Sequence, residues 1–242
     1  MACPLYAQKV EYSVQINSGL SALHGPGTLS VSRINFVTQP VSYYTGNPHG
    51  NIQAATYGIA ADLKLVTKRK LLFGLQLGYE SLRSKVNLIN HPILTDNVGS
   101  TIPYAADNSI NGYTILTTNF ININPFIGYR LNIQHTSIDL TPGLDIAVAL
   151  NSREEDKAQL GLNSTPDADL TTDNKLNSPS TIGRVRFDAK VNYHRFGIIA
   201  GYSRGFIAYK NNGLVTTGQG ATATNGSVFD DVFRLGFSYR IK

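Results

Sequence analysis

The stretch ATYGIAADLKLVTKRKLLFGLQLGY, Ala55 to Tyr79, decides the architecture of this 242-residue chain. Tyr57, Ile59, Ala61, Leu63 and Leu65 fall on every second position, while Thr56, Gly58, Ala60, Asp62 and Lys64 between them are small or polar. After Thr67-Lys68-Arg69-Lys70 the alternation resumes, with Leu71, Phe73, Leu75, Leu77 and Tyr79 against Gly74, Gln76, Gly78 and Glu80. Strict period two sends successive side chains to opposite faces of a strand. The pattern therefore predicts two antiparallel strands, apolar on one face and polar on the other.

The same alternation recurs on both sides of this hairpin. Upstream, Val10, Tyr12, Val14 and Ile16 alternate with Glu11, Ser13, Gln15 and Asn17 in a strand over Val10 to Leu20, and a short strand is predicted at Leu29 to Val37. Downstream, a strand over Tyr113 to Leu131 places Ile121, Ile123, Pro125, Ile127 and Tyr129 opposite Asn122, Asn124, Gly128 and Arg130, with Pro125 removing one ladder donor. A turn at Asn132 to His135 leads to Ile138, Leu140, Leu144, Ile146, Val148 and Leu150. Asn151 to Thr181 is expected to be a long loop. Val185 to Tyr193 and Phe196 to Tyr202 form the next pair across the turn His194-Arg195, and Phe229 to Ile241 closes the chain after a loop over Asn211 to Ser227. Eight wall strands result, joined alternately by four long connections and three short turns. An even strand number brings both termini to the short-turn side, the plan of an eight-stranded up-and-down transmembrane β-barrel with long extracellular loops and short periplasmic turns.

Composition agrees with a barrel and excludes several other classes. Hydrophobic residues make up 42% of the chain. No run of about 18 apolar residues exists, which excludes a transmembrane helix and says nothing against strands that carry apolar residues at alternate positions. The net charge of +5 is spread over strands and turns without a basic stripe, which argues against a nucleic-acid partner. The single cysteine, Cys3, forbids an internal disulfide. Residues 1–7 resemble the end of a secretory signal cleaved after Ala7, leaving residues 8–242 as one barrel domain.

Which face looks outward separates a membrane barrel from a soluble lipocalin-like one. The polar face carries Glu11, Asp62, Glu80, Asp139, Asp145 and Asp188 against Lys64, Arg130, Arg186, Lys190, Arg234 and Arg240, besides many glycines. An eight-stranded barrel is just wide enough for side chains to fill, so small residues and paired charges suit its lumen. Charges on a lipid-facing surface near the midplane cost about 2 to 4 kcal/mol each. Tyr12, Tyr57, Tyr79, Tyr113, Tyr129, Tyr193 and Tyr239 lie on the apolar stripes, several near strand ends, as an interfacial girdle requires.

The segments Tyr57-Gly58-Ile59-Ala60-Ala61-Asp62-Leu63, Phe73 to Tyr79, Ile121 to Tyr129 and Phe233-Arg234-Leu235-Gly236-Phe237-Ser238-Tyr239 resemble the outer-membrane β-barrel domain family common in Bacteroidota, of the porin-family or OmpA/OmpX-like kind. The resemblance spans Gln8 to Lys242. It implies a bacterial outer-membrane location, with outer-membrane lipid, lipopolysaccharide and other outer-membrane proteins as partners. The ending Ile241-Lys242 departs from the terminal aromatic of many such barrels, and Tyr239 stands nearest to that role.

Candidate chemistry is sparse, and neither a cofactor nor a catalytic, cofactor-binding or metal site is assigned. His135-Thr136-Ser137 resembles the His-x-Ser pair of the lipid A deacylase family, but His135 falls at a turn on the side opposite the outer leaflet. His24, His49 and His91 fall in loops and His194 in a turn. Asp167, Asp169 and Asp173 offer oxygen ligands without the glycine and terminal glutamate of a calcium loop. Gly218-Gln219-Gly220 lacks the lysine of a phosphate loop. A non-enzymatic barrel in envelope structure or surface contact is the expected function, and a narrow pore, a lipid A-modifying enzyme and a soluble lipocalin-like carrier remain as alternatives.

Overall fold

The computed structural model describes residues 7–38, 41–89, 93–95, 101–103, 110–162, 165–176, 181–208, 213–217, 220–224 and 226–241. The leader expected over residues 1–7, apart from Ala7, falls outside them, as do His91 and Gly218-Gln219. Eight strands close into a ring: β1 (Ala7–His24), β4 (Ile52–Thr67), β5 (Leu71–Ile89), β8 (Ile110–Ile133), β9 (Thr136–Leu162), β11 (Thr181–Tyr193), β12 (Phe196–Ile207) and β15 (Phe229–Arg240). Each pairs antiparallel with the next, and β15 returns to β1 with Ser13 opposite Arg240 and Leu20 opposite Phe233. Closure leaves no edge, which is the condition for a sheet to cross hydrocarbon.

The remaining strands build the long connections: β2 (Val31–Thr38), β3 (Val41–Thr45), β6 (Ile93–Thr95), β7 (Thr101–Pro103), β10 (Thr165–Leu176), β13 (Gly213–Thr217) and β14 (Gly220–Thr224). The expected loop Asn151 to Thr181 is thereby corrected. β9 continues to Leu162 and folds back through β10, with Lys157 opposite Thr171 and Arg153 opposite Lys175. Above the bilayer neither face of a strand meets lipid, so the apolar stripe that marks a strand in sequence disappears while its backbone pairing persists.

On the other rim the turns are tight. Lys70, Gln134 and His194 adopt positive φ of 64°, 51° and 52°. Thr67 Oγ1 accepts a hydrogen bond from Leu71 N at 3.0 Å, and Thr67 O accepts one from Lys70 N at 3.0 Å. The β8–β9 ladder passes from Ile123 opposite Ile146 to Phe126 opposite Gly143, leaving Pro125 unpaired on that side, as expected of a residue without an N–H. Gly74 permits the Phe126 ring to lie across the wall, since a Cβ there would overlap that ring.

One irregularity interrupts the β4–β5 ladder. Pairing jumps from Gln53 opposite Ser84 to Tyr57 opposite Ser81, a bulge of one extra residue in β4. Two hydroxyls close the gap. Ser21 Oγ accepts from Arg83 N at 2.9 Å and donates to Arg83 O at 2.7 Å, and Thr56 Oγ1 donates to Ser81 O.

The faces are oriented as a membrane barrel requires. Leu63 and Phe237 are 42% and 66% exposed, whereas Asp62 and Arg234 are 7% and 2% exposed. Ile16, Ile59, Leu77, Ile127, Ile198 and Leu235 continue the outer apolar surface. Tyr129, Tyr193, Phe196 and Tyr239 flank it near the short turns, with Tyr57, Tyr202 and Phe206 toward the other end, so the aromatic side chains bracket the band. Leu77 sits at mid-band, opposite Ala61 and Ile123. Leu77→Arg is expected to destabilise the barrel by about 2 to 4 kcal/mol in denaturant titrations from lipid vesicles, whereas Leu77→Val stays within about 1.5 kcal/mol of the parent.

Candidate functional site

Three groups of buried charged residues fill the lumen. Nearest the short turns, Arg130 donates to both oxygens of Glu11 at 2.9 and 2.8 Å and to Asp139 at 2.6 and 2.9 Å. Lys64 reaches Asp139 at 2.5 Å, and Arg240 lies 3.4 Å from Glu11. Next, Asp62 accepts from Lys190 and Gln76, each at 2.8 Å, and from Ser13 Oγ at 3.1 Å. Arg186 links Gln76 at 2.6 Å with Asp188 at 2.8 Å. Toward the extracellular end, Arg184 contacts Glu80, Asp145 at 2.5 Å and Asp230 at 2.9 Å, and Arg234 contacts Glu80 at 2.7 Å. Arg130–Glu11, Lys190–Asp62, Arg186–Gln76, Arg184–Glu80 and Arg234–Glu80 join strands that are not neighbours in the ring and so cross the lumen. Arg130–Asp139 and Arg184–Asp145 instead bridge adjacent strands, and Arg186 and Asp188 lie on one strand.

All twelve charges assigned to the inner face in sequence point inward, and Arg240, the least enclosed of them, lies at the periplasmic rim. Sequence missed Arg184 and Asp230, which face each other and add one charge of each sign. Carrying period two one step back from Arg186, and two steps back from Arg234 through Val232, reaches both. Sequence also missed an apolar layer above the charges, made by Leu23, Leu82, Leu116, Phe120, Ala147, Ile182, Val228 and Val232. On β5 it arises where the inward positions change from Gln76 and Glu80 to Leu82 and Val86. Cavities of about 20 Å3 remain beside Leu82 and Phe120 and beside Asp62 and Lys190.

Above the apolar layer sits a carboxyl pair. Asp156 accepts from Thr45 Oγ1 at 2.9 Å and from Thr114 Oγ1 at 2.6 Å. Glu154, one inward position below it on β9, is 3% exposed. Burial, reinforced by the neighbouring Asp156 charge, pushes the Glu154 carboxyl from the ordinary 4.5 to about 8.

The candidates singled out in sequence do not converge. His135 lies exposed in the turn Gln134-His135, and no hydrogen bond joins it to Ser137 at the start of β9. His194 stacks on Tyr193 at 4.3 Å in its turn, and His24 lies 3.3 Å from Asp231. His49 Nδ1 shares a 3.0 Å hydrogen bond with Asn47 Oδ1. Asp173 is held by Arg153, while the side chains of Asp167 and Asp169 lie outside the described residues. Among the described residues no group of three or more His, Cys, Asp or Glu is placed to hold a metal ion.

No protein-family model matches the chain, and no curated protein matches it. Among solved structures it is similar to Ail, the attachment invasion locus protein of Yersinia pestis, in complex with the heparin analogue sucrose octasulfate. That match has 11% identity over 96% of this chain and 99% of that one, with a TM-score of 0.35. Neisserial surface protein A matches at 11% identity over 94% and 96% of the two chains, with a TM-score of 0.37. The outer membrane protease OmpT from Escherichia coli matches at 10% identity over 96% and 97%, with a TM-score of 0.41.

Two outcomes follow from the lumen. Arg184→Met strands Asp230 and leaves Glu80 and Asp145 to Arg234 alone, and is expected to cost about 3 to 5 kcal/mol in vesicle unfolding titrations, part of which Arg184→Met/Asp230→Leu recovers. Because the folded state holds the Glu154 proton up to about pH 8 and the unfolded chain releases it near 4.5, stability falls as pH rises between those values and levels off above them. Glu154→Gln flattens that slope in denaturant midpoints measured from pH 4 to 9.

Proposed function

We propose that the chain is a non-enzymatic protein of the bacterial outer membrane, belonging with the Bacteroidota-type barrels its strands resemble. In this role it anchors envelope structure and presents its β-hairpins for surface contact. The observation that carries this reading is the closed lumen. Arg130, Arg184 and Arg234 span it with ion pairs, and Arg186 with a hydrogen bond to Gln76, beneath an apolar layer. Moving water or a solute along that axis requires breaking several desolvated pairs at once, and each break leaves a buried charge without its partner.

What stays accessible is the outer surface and the strand extensions beyond the aromatic residues. β8, β9 and β10 continue as a three-stranded ribbon, with Ser152 of β9 opposite Thr118 and Leu176, and Leu160 opposite Ile110 and Ala168. Such a ribbon is a rigid mount for contacts made by side chains at its rim. Partners among other outer-membrane proteins are expected there.

Protein from isolated outer membranes should shift its gel mobility on heating, as a folded barrel does when it unfolds. Planar bilayers containing it should stay electrically silent. Stepwise conductance from the folded protein would replace this reading with the pore, and recovery in the soluble fraction would replace it with a carrier.

A further inference from the structure

On the outer wall above the apolar band, cross-strand register gathers cations into one patch. Arg83 lies opposite Thr117, Thr117 opposite Arg153, and Arg153 opposite Lys175. Lys85 lies two positions further along β5, in a row with Glu155 and Asp173, and Lys157 lies four positions beyond Arg153 on β9. The row beneath it is Ser81, Asn119 and Asn151, and the row beneath that is Tyr79, Ile121 and Val148, the last apolar one. The sequence of rows, hydrocarbon-facing then amide and hydroxyl then guanidinium and ammonium, follows the polarity profile of a lipid from acyl chain to headgroup. Two residues of strand rise about 7 Å, so the row of Arg83, Arg153 and Lys175 stands within about 15 Å of that apolar row.

The patch encloses a groove of about 660 Å3, whose lining includes Tyr57, Ser81, Arg83, Asn151, Arg153 and Lys175. Several donors in it are left over by the protein. Arg83 Nε is buried without a hydrogen-bond partner, and the guanidinium lies over the Tyr57 ring at 5.7 Å, with no carboxylate partner among the described residues. Ser81 is 0% exposed, and its Oγ is likewise unpartnered. Lys175 has no carboxylate partner among the described residues. Arg153 is paired with Asp173 and lies 3.9 Å from Glu155, so it is held in place rather than free to swing into solvent. Four cations, Arg83, Lys85, Arg153 and Lys175, thus face two carboxylates in the patch.

From this arrangement we infer that the groove binds the phosphorylated headgroup of an outer-leaflet glycolipid. Arg83 and Lys175 contact phosphate oxygens, and Arg153 is positioned between them by Asp173. Guanidinium and ammonium donors suit phosphate through charge-assisted hydrogen bonds, and Tyr57 and Leu150 offer apolar surface to the start of the acyl chains. The inference rests on the outer-membrane reading above and adds a ligand class and a site to it.

The test uses the folded full chain and native mass spectrometry, with lipid A carrying two phosphates and the same lipid with both removed. The double variant Arg83→Gln/Lys175→Gln removes two cations that hold no ion pair among the described residues, and retained heat-modifiable mobility verifies its fold. The bisphosphorylated lipid should bind at least about tenfold more tightly than the dephosphorylated one, and the double variant should lose that preference. Lys68→Gln/Arg69→Gln, at the periplasmic turn, should keep it. Inorganic phosphate at the same concentration should not compete, and full displacement by it would make the groove a free-anion site and overturn the lipid assignment. Equal binding of both lipids, or an unchanged preference in the double variant, would overturn the inference while leaving the barrel in its membrane. Failure to insert into vesicles at all would instead overturn the outer-membrane reading.

Discussion

In hydrocarbon no water is present to satisfy a backbone N–H or C=O, and each unpaired group costs several kcal/mol. That single constraint governs this molecule. It forces the eight wall strands to close, with β15 against β1, and closure fixes an inside and an outside for every second residue along each strand. The apolar surface from Leu63 to Phe237 and the charged lumen from Asp62 to Arg234 are two consequences of the same alternation.

Closure creates a second problem, because the lumen is too narrow to hold bulk water and too polar to stay empty. The chain fills it with planar guanidinium groups, of which Arg130, Arg184 and Arg234 each reach two or more carboxylates. Arg130 grips Glu11 with two parallel bonds, a geometry that fixes the relative height of β8 and β1 as well as neutralising charge. A buried ion pair is weak evidence for net stability, since desolvation offsets most of the Coulomb gain. Its contribution here is register: a strand displaced by two residues would set Glu80, Asp145 or Asp62 against the wrong partner.

The wall was legible in the sequence because lipid imposes a period on it. The alternation at Ala55 to Tyr79 gave the hairpin, its face assignment and, by repetition, the eight-strand ring. What stayed hidden lies where that pressure stops. β9 beyond Leu150 alternates Arg153, Glu155 and Lys157 with Glu154, Asp156 and Ala158, polar on both faces, and nothing in that pattern distinguishes a strand from a loop. The inward turn of Leu82, Leu116 and Phe120 was hidden for another reason, since there the alternation inverts, with apolar residues facing in while Ser81, Arg83, Thr117 and Asn119 face out. Arg184 was missed because β11 begins at Thr181, ahead of the expected start at Val185, whereas Asp230 lay within the expected strand from Phe229 but before the first pair, Phe233 and Arg234, from which its faces were assigned.

The bulge between Gln53 and Tyr57 replaces part of one backbone ladder with the hydroxyls of Ser21 and Thr56. A side-chain hydroxyl held by one rotatable bond lacks the cooperative support that neighbouring rungs lend each other. The cylinder therefore has a mended stretch between β4 and β5, near its outer rim, where solvent gains entry sooner than elsewhere along that pair of strands. Isotope exchange of the Arg83 amide measures how well the mend holds.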